Sequence, residues 1–407
     1  MTDSMRCPGM RDWLPGDMAR FRRVEQAFRD VCLGWGYDEV RTPTIEHLHL
    51  FTSAGTLSPQ MLGRAYSFLD WDGWTGERVV LRPDSTIPVA RLYAEHEQAG
   101  AVKKLFYVQN VLRFAQGDES REDWQCGIEL IGDTQPMGDI ELVLIAGEVL
   151  ARLGLEVDIK LSEPGILRAV LSRAGYALPE QLALYDRVLN GELSVLDEVA
   201  ERIPGAGAPV RALLSIEGES VAYLENLRSA LGHAVPELER SISELQAVSE
   251  ILSEVGRKHA IAPLLVRNFE YYTGPVFHFY VNGSKVGGGG RYDALIGLVG
   301  GKDVPASGLA LEMDVLAPLL GADAQTRSSV VIRPRAGERG AMAAAFSLAG
   351  ELRSTGRVFR IAGLTEQAGG CEVIASEDGY TLRLNGSEPR QLACAGDVVS
   401  ALSEAGL

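Results

Sequence analysis

The sequence lacks several patterns that would assign a chain quickly to a class. Its five cysteines, at positions 7, 32, 126, 371 and 394, include no CxxC pair. This argues against a zinc knuckle and a disulfide framework, and it is typical of a reducing cytoplasm. No run of about 18 apolar residues occurs, so no membrane span is predicted. The N-terminal "MTDSMRCPGMRDWLP" has no apolar signal core, and we therefore predict a cytoplasmic location.

Basic charge and catalytic motifs are also scarce. The chain has 39 Lys and Arg against 55 Asp and Glu, a net charge of −16. This counts weakly against nucleic-acid binding, because an acidic excess does not attract polyphosphate. The six histidines have no metal-ligand spacing and there is no GxSxG elbow, so neither a metal site nor a catalytic triad is predicted. "VGGGGRYD" matches neither phosphate-loop pattern, and we expect Gly287 to Gly290 to permit close backbone approach.

The patterns that are present predict an α+β fold. "KKLFYVQNVLRF" and "WQCGIELIG" predict strands, and "GDIELVLIAGEVLARLGL" predicts an amphipathic helix. Residues 160–256 are rich in Leu, Ala and Glu with helical periodicity, which indicates a helical insertion. Residues 327–407 predict a separate small α/β module. The expected organisation is a mostly antiparallel sheet domain over residues 1–320, with the insertion, followed by this module.

Polar side chains fall on the predicted strands of the sheet domain. Gln125, Gly127 and Glu129 alternate and therefore share one face. Such a face suits a small polar ligand with ammonium and amide-like groups better than it suits a core. For each residue alone the competing interpretation is a solvated sheet face, and Cys126 on the same strand is either a reactive thiol or a buried apolar side chain. The other candidates are Asp84, Thr86, Arg113, Arg267, Tyr271 or Tyr272, and Tyr292.

Several segments in order resemble one known family. They are "PGMRDWLP" (8–15), "GYDEVRTPTIE" (36–46), "FYVQNVLRF" through "WQCGIELIG", "VRNFEYYTGPVF" and "GGGGRYD". Together they are similar to the catalytic core of class II aminoacyl-tRNA synthetases, specifically the histidyl-tRNA synthetases, over roughly residues 8–320. The resemblance implies a class II sheet core, a dimer interface near Pro43 and a reduced anticodon-binding-like module at residues 327–407.

The resemblance also implies a histidine pocket. At the matching positions Asp84 and Thr86 would hold the amino group of histidine, and Arg267 would contact the carboxylate. Arg113 is kept at the arginine of the second class II motif. The remaining positions that would line the pocket are Gln125, Glu129, Tyr271 or Tyr272, and Tyr292.

The nucleotide side departs from the synthetase pattern. Ala115 stands where the second motif has glutamate. The third motif ends in Gly-Leu-Glu-Arg, whereas "SGLALEMDVL" places Asp314 at the acid and Val315 at the arginine. A valine cannot donate a hydrogen bond to phosphate, and one such contact contributes about 3 kcal/mol. Residues 327–407 contain nine Arg, no Lys and nine acidic residues, so no basic patch and no tRNA binding are expected.

A kept histidine side with a lost ATP side resembles the regulatory subunits of ATP phosphoribosyltransferase, as does the LRPD-x-T-x-x-x-AR pattern in "LRPDSTIPVAR". This resemblance implies a chain with no catalytic residue, metal or cofactor of its own. It would form a homodimer within a hetero-octamer with the short-form catalytic subunit, support the first step of histidine biosynthesis and take part in feedback inhibition by histidine. Two alternatives stay open: an active histidyl-tRNA synthetase and a free-standing histidine sensor.

Overall fold

The computed structural model divides the chain into two compact units, Met1–Gly321 and Ala322–Leu407. It describes residues 5–53, 62–71, 74, 76–96, 102–117, 119–133, 136–189, 192, 194–203, 209–210, 218, 221–265, 272–300, 302–321, 330–361, 370–384 and 387–406.

Each unit contains both helices and strands. The described helices of the first unit are α1 (Pro15–Gly34), α2 (Leu48–Ser53), α3 (Thr86–His96), α4 (Met137–Arg152), α5 (Pro164–Arg173), α6 (Leu178–Leu189), α7 (Val195–Glu201), α8 (Val221–Leu231), α9 (Leu238–Glu254), α10 (Leu295–Leu298) and α11 (Met313–Leu319). Its strands are β1 (Asp38–Glu39), β2 (Ile45–His47), β3 (Ser67–Trp71), β4 (Gly76–Leu81), β5 (Lys103–Leu112), β6 (Glu122–Ile131), β7 (Asp158–Ser162), β8 (Ala260–Ile261), β9 (Val276–Val281), β10 (Ser284–Arg291) and β11 (Ala306–Glu312). The second unit contains β12 (Val330–Pro334), α12 (Ala341–Ser354), β13 (Phe359–Ile361), β14 (Cys371–Ser376), β15 (Gly379–Leu384), β16 (Arg390–Leu392) and α13 (Ala395–Glu404).

A large sheet lies at the centre of the first unit. In the described part of the chain its strand order is β1-β5-β6-β11-β10-β9-β7-β8. Neighbouring strands run antiparallel except at the two edges, where β1 pairs parallel with β5 and β7 with β8. The predicted α+β class with a mostly antiparallel sheet core is confirmed.

The sheet has two chemically different faces, because side chains alternate along each strand. One face, called the apolar face, carries Phe106, Ile128, Leu309 and Phe277, which lie side by side in the register of β5, β6, β11, β10 and β9. All four are buried in the main core. The opposite face, called the polar face, is formed by Tyr107, Gln109, Gln125, Gly127, Glu129, Gly288, Gly290, Gly308, Ala310 and Glu312.

Helix α1 covers part of the apolar face, as its sequence predicts. Phe21, Val24, Phe28 and Val31 recur at helical spacing and are buried. The rings of Phe28 and Phe106 meet edge to face with centroids 5.9 Å apart. Helices α4, α5, α8 and α9 add apolar side chains to the same core, so the helices between β7 and β8 complete the layer that α1 begins.

A second apolar cluster lies along one side of the polar face. Ile87 and Tyr93 of α3 pack there with Leu105, Tyr107 and Tyr292. The small sheet β2-β4-β3 contributes Val80. This packing holds the first turn of α3 over β5 and β6.

The structure decides two local points. The pattern of "YDEVRTPTIEH" predicts a strand that closes on Pro43, and the segment forms two short strands, β1 before that proline and β2 after it. Proline has no N–H to donate to a ladder, which accounts for the interruption. Cys126 is fully buried and burial raises the pKa of its thiol well above the usual value, so it behaves as a core side chain.

The second unit has a mixed sheet with its own core. The order is β13-β12-β14-β15-β16, with β12 parallel to both neighbours and the remaining pairs antiparallel. Leu348 and Leu352 of α12 and Val398 and Leu402 of α13 are buried in that core. Strand β16 is not predicted from the sequence, because its three residues show no buried alternation. Among the described helices of either unit, none is long and apolar enough to cross a membrane.

Candidate functional site: a carboxylate pocket on the polar face

Glu129 lies at the centre of the polar face, and its side chain is almost fully buried. The Tyr107 hydroxyl donates to its Oε1 at 3.2 Å, and the Tyr292 hydroxyl donates to its Oε2. The Thr86 hydroxyl, at the start of α3, is a third partner of the carboxylate. Three hydroxyls from β5, α3 and the residue after β10 therefore fix one carboxylate.

Glycines on neighbouring strands make the space for these side chains. A Cβ atom at Gly127 would lie 2.1 Å from Cζ of Tyr107, so the tyrosine ring rests directly on the backbone of β6. A Cβ atom at Gly290 would lie 2.9 Å from Cδ1 of Tyr272. The glycine run is expected to allow close approach, and at Gly290 the approaching groups are the backbone oxygen of Pro275 and the ring of Tyr272.

The pocket is electrostatically unusual. Burial raises the pKa of Glu129 to about 8, the negative charge of Asp84 adds to the rise, and the hydroxyls of Tyr292, Thr86 and Tyr107 oppose it. Burial likewise raises the pKa of Asp84, against the effect of the backbone N–H of Ile87 and the charge of Arg113. Two carboxyl groups that are costly to ionise together favour a cationic or N–H-donating ligand between them.

Asp84 and Thr86 are positioned by the segment "LRPDSTIPVAR". Asp84 Oδ1 accepts the N–H of Ile87 at 2.9 Å, so the carboxylate caps the first turn of α3. Buried Arg82, two residues before Asp84, fixes the start of this segment. Its guanidinium donates to the backbone oxygens of Thr42, Pro43 and Asn110 at 3.0, 3.0 and 2.9 Å.

The remaining described candidates surround the same face. Tyr272 is close enough to Asp84 and Glu129 for both charges to raise the pKa of its hydroxyl, although burial is the larger cause. Gln125 lies farther along β6, where its Nε2 donates to Glu312 Oε1 at 3.1 Å. Arg113 donates from Nε to the backbone oxygen of Pro83 at 2.7 Å, and its Nη1 lies 3.7 Å from Asp123 Oδ2.

The structure thus brings six of the nine predicted residues together on the polar face and places Arg113 at its edge. Asp84, Thr86, Glu129, Tyr272 and Tyr292 are clustered, and Gln125 extends the face. Arg267 and Tyr271 lie outside the described residues.

The two positions that depart from the synthetase pattern, Ala115 and Val315, both lie in packed surroundings. Ala115 is buried, and its backbone oxygen accepts Nε of Arg121 at 3.0 Å. Val315 is partly buried and packs against the main core. The described residues also contain no group of three or more His, Cys, Asp or Glu side chains placed to hold a metal ion.

Two residues of this face are not predicted from the sequence. Tyr107 lies in a run that is apolar overall, although the alternation of Tyr107 and Gln109 with Phe106 and Val108 marks it as facing the other way. Glu312 lies within "SGLALEMDVL", the segment that matches the third class II motif, and that motif predicts no function for this position. Its position on the polar face follows from its pairing with Gln125 across β11 and β6, which becomes visible once the strand register is known.

A buried ion pair lies on the other side of the same strands. Arg291, one residue before Tyr292, pairs with Asp139 at 2.5 Å and with Glu244 of α9 at 2.8 Å. The Ser307 hydroxyl donates to Asp139 at 2.6 Å. This network links β10 and β11 to the helices on the apolar face.

Comparisons with known proteins place this geometry in a family. The model of the histidyl-tRNA synthetase family matches residues 9–316. A protein of Dehalococcoides mccartyi named ATP phosphoribosyltransferase regulatory subunit is 47% identical over 320 residues, 78% of each chain. The chain belongs to the histidyl-tRNA synthetase-like family of ATP phosphoribosyltransferase regulatory subunits.

More distant relatives carry synthetase names. A histidine–tRNA ligase of Methanosarcina acetivorans is 34% identical over 318 residues, 75% of this chain and 73% of its own. A solved structure from Bacillus halodurans, described as an ATP phosphoribosyltransferase regulatory subunit/histidyl-tRNA synthetase, aligns with a TM-score of 0.76. It is 25% identical and covers 91% of this chain and 95% of its own.

Proposed function

We propose that this chain is the non-catalytic regulatory subunit of ATP phosphoribosyltransferase and binds histidine in the pocket on the polar face. The observation that carries the proposal is the 47% identity to a protein of that name over 78% of the chain. The buried carboxylates of the polar face support histidine as the ligand of this chain. It offers acceptors for a small ligand that carries an ammonium and N–H groups.

Histidine fits the chemistry of the described residues. Asp84 supplies an acceptor for the α-ammonium group at the start of α3, and Gln125 supplies an amide on the same face. Glu129 supplies an acceptor for an imidazole N–H, with hydroxyls of Tyr107 and Tyr292 fixing its orientation. Arg113 supplies a cation for the ligand carboxylate. The proposal also retains Arg267 and Tyr271 as pocket residues on the strength of the family resemblance.

The loss of the ATP side supports a regulatory role. A synthetase needs positive charge to bind and activate ATP. Ala115 is buried here, and Val315 packs against the core, so neither offers a charged group to phosphate. We infer that the chain supports the first step of histidine biosynthesis without performing it.

The proposal includes an assembly. The chain forms a homodimer within a hetero-octamer with the short-form catalytic subunit, and histidine inhibits the complex by binding one arrangement more tightly than another. Residues 1–320 act as a synthetase-like core with a helical insertion at about 160–256. Residues 327–407 act as a reduced anticodon-binding-like domain that does not bind tRNA. The cytoplasmic location predicted from the sequence belongs to the same proposal, and cell fractionation would test it.

Reconstitution with a short catalytic ATP phosphoribosyltransferase tests the proposal. The catalytic subunit should co-purify with this chain and gain activity, and histidine should inhibit the pair. Glu129→Ala should weaken inhibition and leave association intact, whereas the exposed α9 variant Glu250→Ala should change neither. Failure to associate, or a pair that stays inactive, would overturn the proposal.

An active histidyl-tRNA synthetase is the second candidate, because Arg113 is kept and a ligase of that name is 34% identical over 75% of the chain. Histidine-dependent ATP–pyrophosphate exchange decides between the two. We expect no exchange from the purified chain alongside measurable histidine binding. Robust exchange would show that the interpretation of Ala115 and Val315 is wrong.

A further inference from the structure

Strands β3 and β4 form an antiparallel hairpin, called the tryptophan hairpin, over residues 67–81. Ser67 lies directly opposite Val80 at one end of the pairing, and Trp71 lies opposite Gly76 at the other end. Val80 is buried in the second apolar cluster, so the first end is fixed to the body of its unit. All five residues of β3 are exposed. The hairpin is therefore anchored at one end and exposed at the other.

Large apolar side chains are concentrated at the exposed end. The exposed fraction is 54% for Leu69, 61% for Trp71 and 90% for Trp74. A Cβ atom at Gly76 would lie 2.9 Å from Cγ of Leu69 and 3.0 Å from Cε3 of Trp71, so both side chains rest over the same glycine. Single exposed apolar residues are ordinary, whereas a group of them marks an interaction site. Tryptophan is among the residue types that contribute most to binding energy in protein interfaces.

The other face of the hairpin carries acidic charge. Asp70 lies directly opposite Glu77, and both are exposed. Like charges at opposite positions repel each other and destabilise a hairpin. Glu77 Oε2 lies 2.8 Å from Nδ1 of His47 on β2. Arg78 is directly opposite Leu69, so its side chain is on the apolar side of the hairpin. A partner that brings a cation to Asp70 would therefore relieve the repulsion.

A second copy of this chain fits the hairpin poorly. In the described part of the chain β3 is an outer strand of its sheet, so two copies could in principle pair edge to edge. A two-fold contact uses the same patch twice, and it would bring the acidic pairs of both copies together. A different protein that offers an apolar pocket with Lys or Arg at its rim would bury the tryptophans and neutralise Asp70.

We propose that the tryptophan hairpin docks into an apolar pocket with a basic rim on the short-form catalytic subunit. This inference rests on the proposed function, because that function supplies the partner. It goes further, because it assigns the contact surface on this chain. Strand β4 ends three residues before Asp84, so one continuous segment joins the docking surface to the histidine pocket.

The test measures the affinity of the purified full-length chain for the purified catalytic subunit by isothermal titration calorimetry. The double variant Trp71→Thr/Trp74→Ser removes both indole rings and keeps a strand-forming residue at position 71. Trp74→Ser alone serves if the double variant does not fold. Phe346→Ala is the matched control, since Phe346 of α12 is 59% exposed. Asp70→Asn removes the charge on the acidic face, and the exposed Glu250→Gln is its control.

We expect the double variant to bind the catalytic subunit at least tenfold more weakly than the wild type, whereas Phe346→Ala should bind as the wild type does. Its own oligomeric mass by light scattering and its histidine affinity should stay unchanged. Asp70→Asn should lose less affinity than the wild type between about 50 and 300 mM salt, because one screened charge pair is gone. Glu250→Gln should keep the wild-type salt dependence.

Wild-type affinity in the double variant, or in Trp74→Ser where that variant replaces it, overturns the proposal. A changed oligomeric mass of the variant also overturns it, because the hairpin would then belong to a contact between copies of this chain. Wild-type salt dependence in Asp70→Asn overturns the basic rim of the pocket. A wild-type chain that does not associate with the catalytic subunit overturns the proposed function and this inference with it, whereas association that ignores the hairpin variants overturns this inference alone.

Discussion

Gly308 lies directly opposite Glu129 in the pairing of β11 with β6, and a Cβ atom at position 308 would lie 1.8 Å from Oε2 of the glutamate. The carboxylate therefore rests on bare backbone. The position of the central acid in the pocket depends on a residue that has no side chain.

Gly308→Ala should weaken histidine binding at least tenfold, because the new methyl group must displace the Glu129 carboxylate from its tyrosine partners. Overpacking of this kind also costs about 1–3 kcal/mol of stability. Calorimetric titration with histidine and a thermal melt measure the two effects. Gly350→Ala is the control, since nothing lies within 4 Å of a Cβ atom there. Unchanged histidine affinity in Gly308→Ala would contradict the assignment of the pocket.

Glu129 should make the folded chain less stable as the pH rises. Burial raises its pKa to about 8 from 4.5, so the folded state holds a proton that the unfolded state has lost. The free energy of unfolding then falls with increasing pH between about 4.5 and 8. Glu129→Gln removes this contribution, so the stability of the wild type relative to the variant should decline across that window.

Urea denaturation of both proteins at pH 5, 6, 7 and 8 measures the decline. Glu163, whose pKa burial raises to about 7, is present in both proteins and cancels in the difference. A stability difference that is constant with pH would show that Glu129 does not titrate as the structure indicates.

Tyr107→Phe should weaken histidine binding about fivefold. The variant keeps the ring on Gly127 and removes the hydroxyl that donates to Glu129 Oε1 at 3.2 Å. One such hydrogen bond contributes on the order of 1 kcal/mol. Tyr176→Phe, in the helical segment between β7 and β8, is the control and should bind histidine as the wild type does. Equal histidine affinities for Tyr107→Phe and Tyr176→Phe would show that the Tyr107 hydroxyl does not contribute to histidine binding.

Asp139→Ala should destabilise the first unit by about 3–5 kcal/mol, because it leaves the buried guanidinium of Arg291 without one of its two carboxylates. Glu192→Ala removes a carboxylate from the exposed pair with Arg187 and should leave stability unchanged. Equilibrium unfolding in urea compares them. A loss of similar size in both variants would contradict the distinction between the buried and the exposed pair.

The cysteines should divide into two classes by reactivity. Cys7 and Cys394 are exposed, whereas Cys32, Cys126 and Cys371 are buried, and burial raises the pKa of all three buried thiols. A thiol reagent should therefore label two groups in the folded chain and five in denaturant. Rapid labelling of Cys126 in the folded chain, read by peptide mass, would contradict the packed apolar face.

The residues of the candidate site that could be predicted from the sequence are those marked by strand alternation or by a local motif. Glu129 and Gln125 follow from the period of a single strand, whereas Asp84 and Thr86 follow from the family resemblance of "LRPDSTIPVAR". Tyr107 could not be separated from the core by composition, because an aromatic residue in an apolar run is ordinarily buried on the main core side. Its role depends on Gly127, a neighbour that only pairing of the strands reveals. Glu312 was missed for the same reason, and β16 is too short and exposed to show a pattern.

The bonding of Arg82 implies an uneven tolerance to substitution around the pocket. Its guanidinium binds main-chain oxygens of Thr42, Pro43 and Asn110, and every amino acid supplies such an oxygen. The guanidinium also donates to Oδ1 of Asn110 at 3.0 Å, so a substitution at position 110 would keep the main-chain contact and lose this side-chain contact. A lysine at position 82 could not reproduce them, because a single ammonium lacks the planar fork that reaches several carbonyls at once. Divergence around this anchor should therefore spare both the donor Arg82 and Asn110, which accepts from it through main chain and side chain.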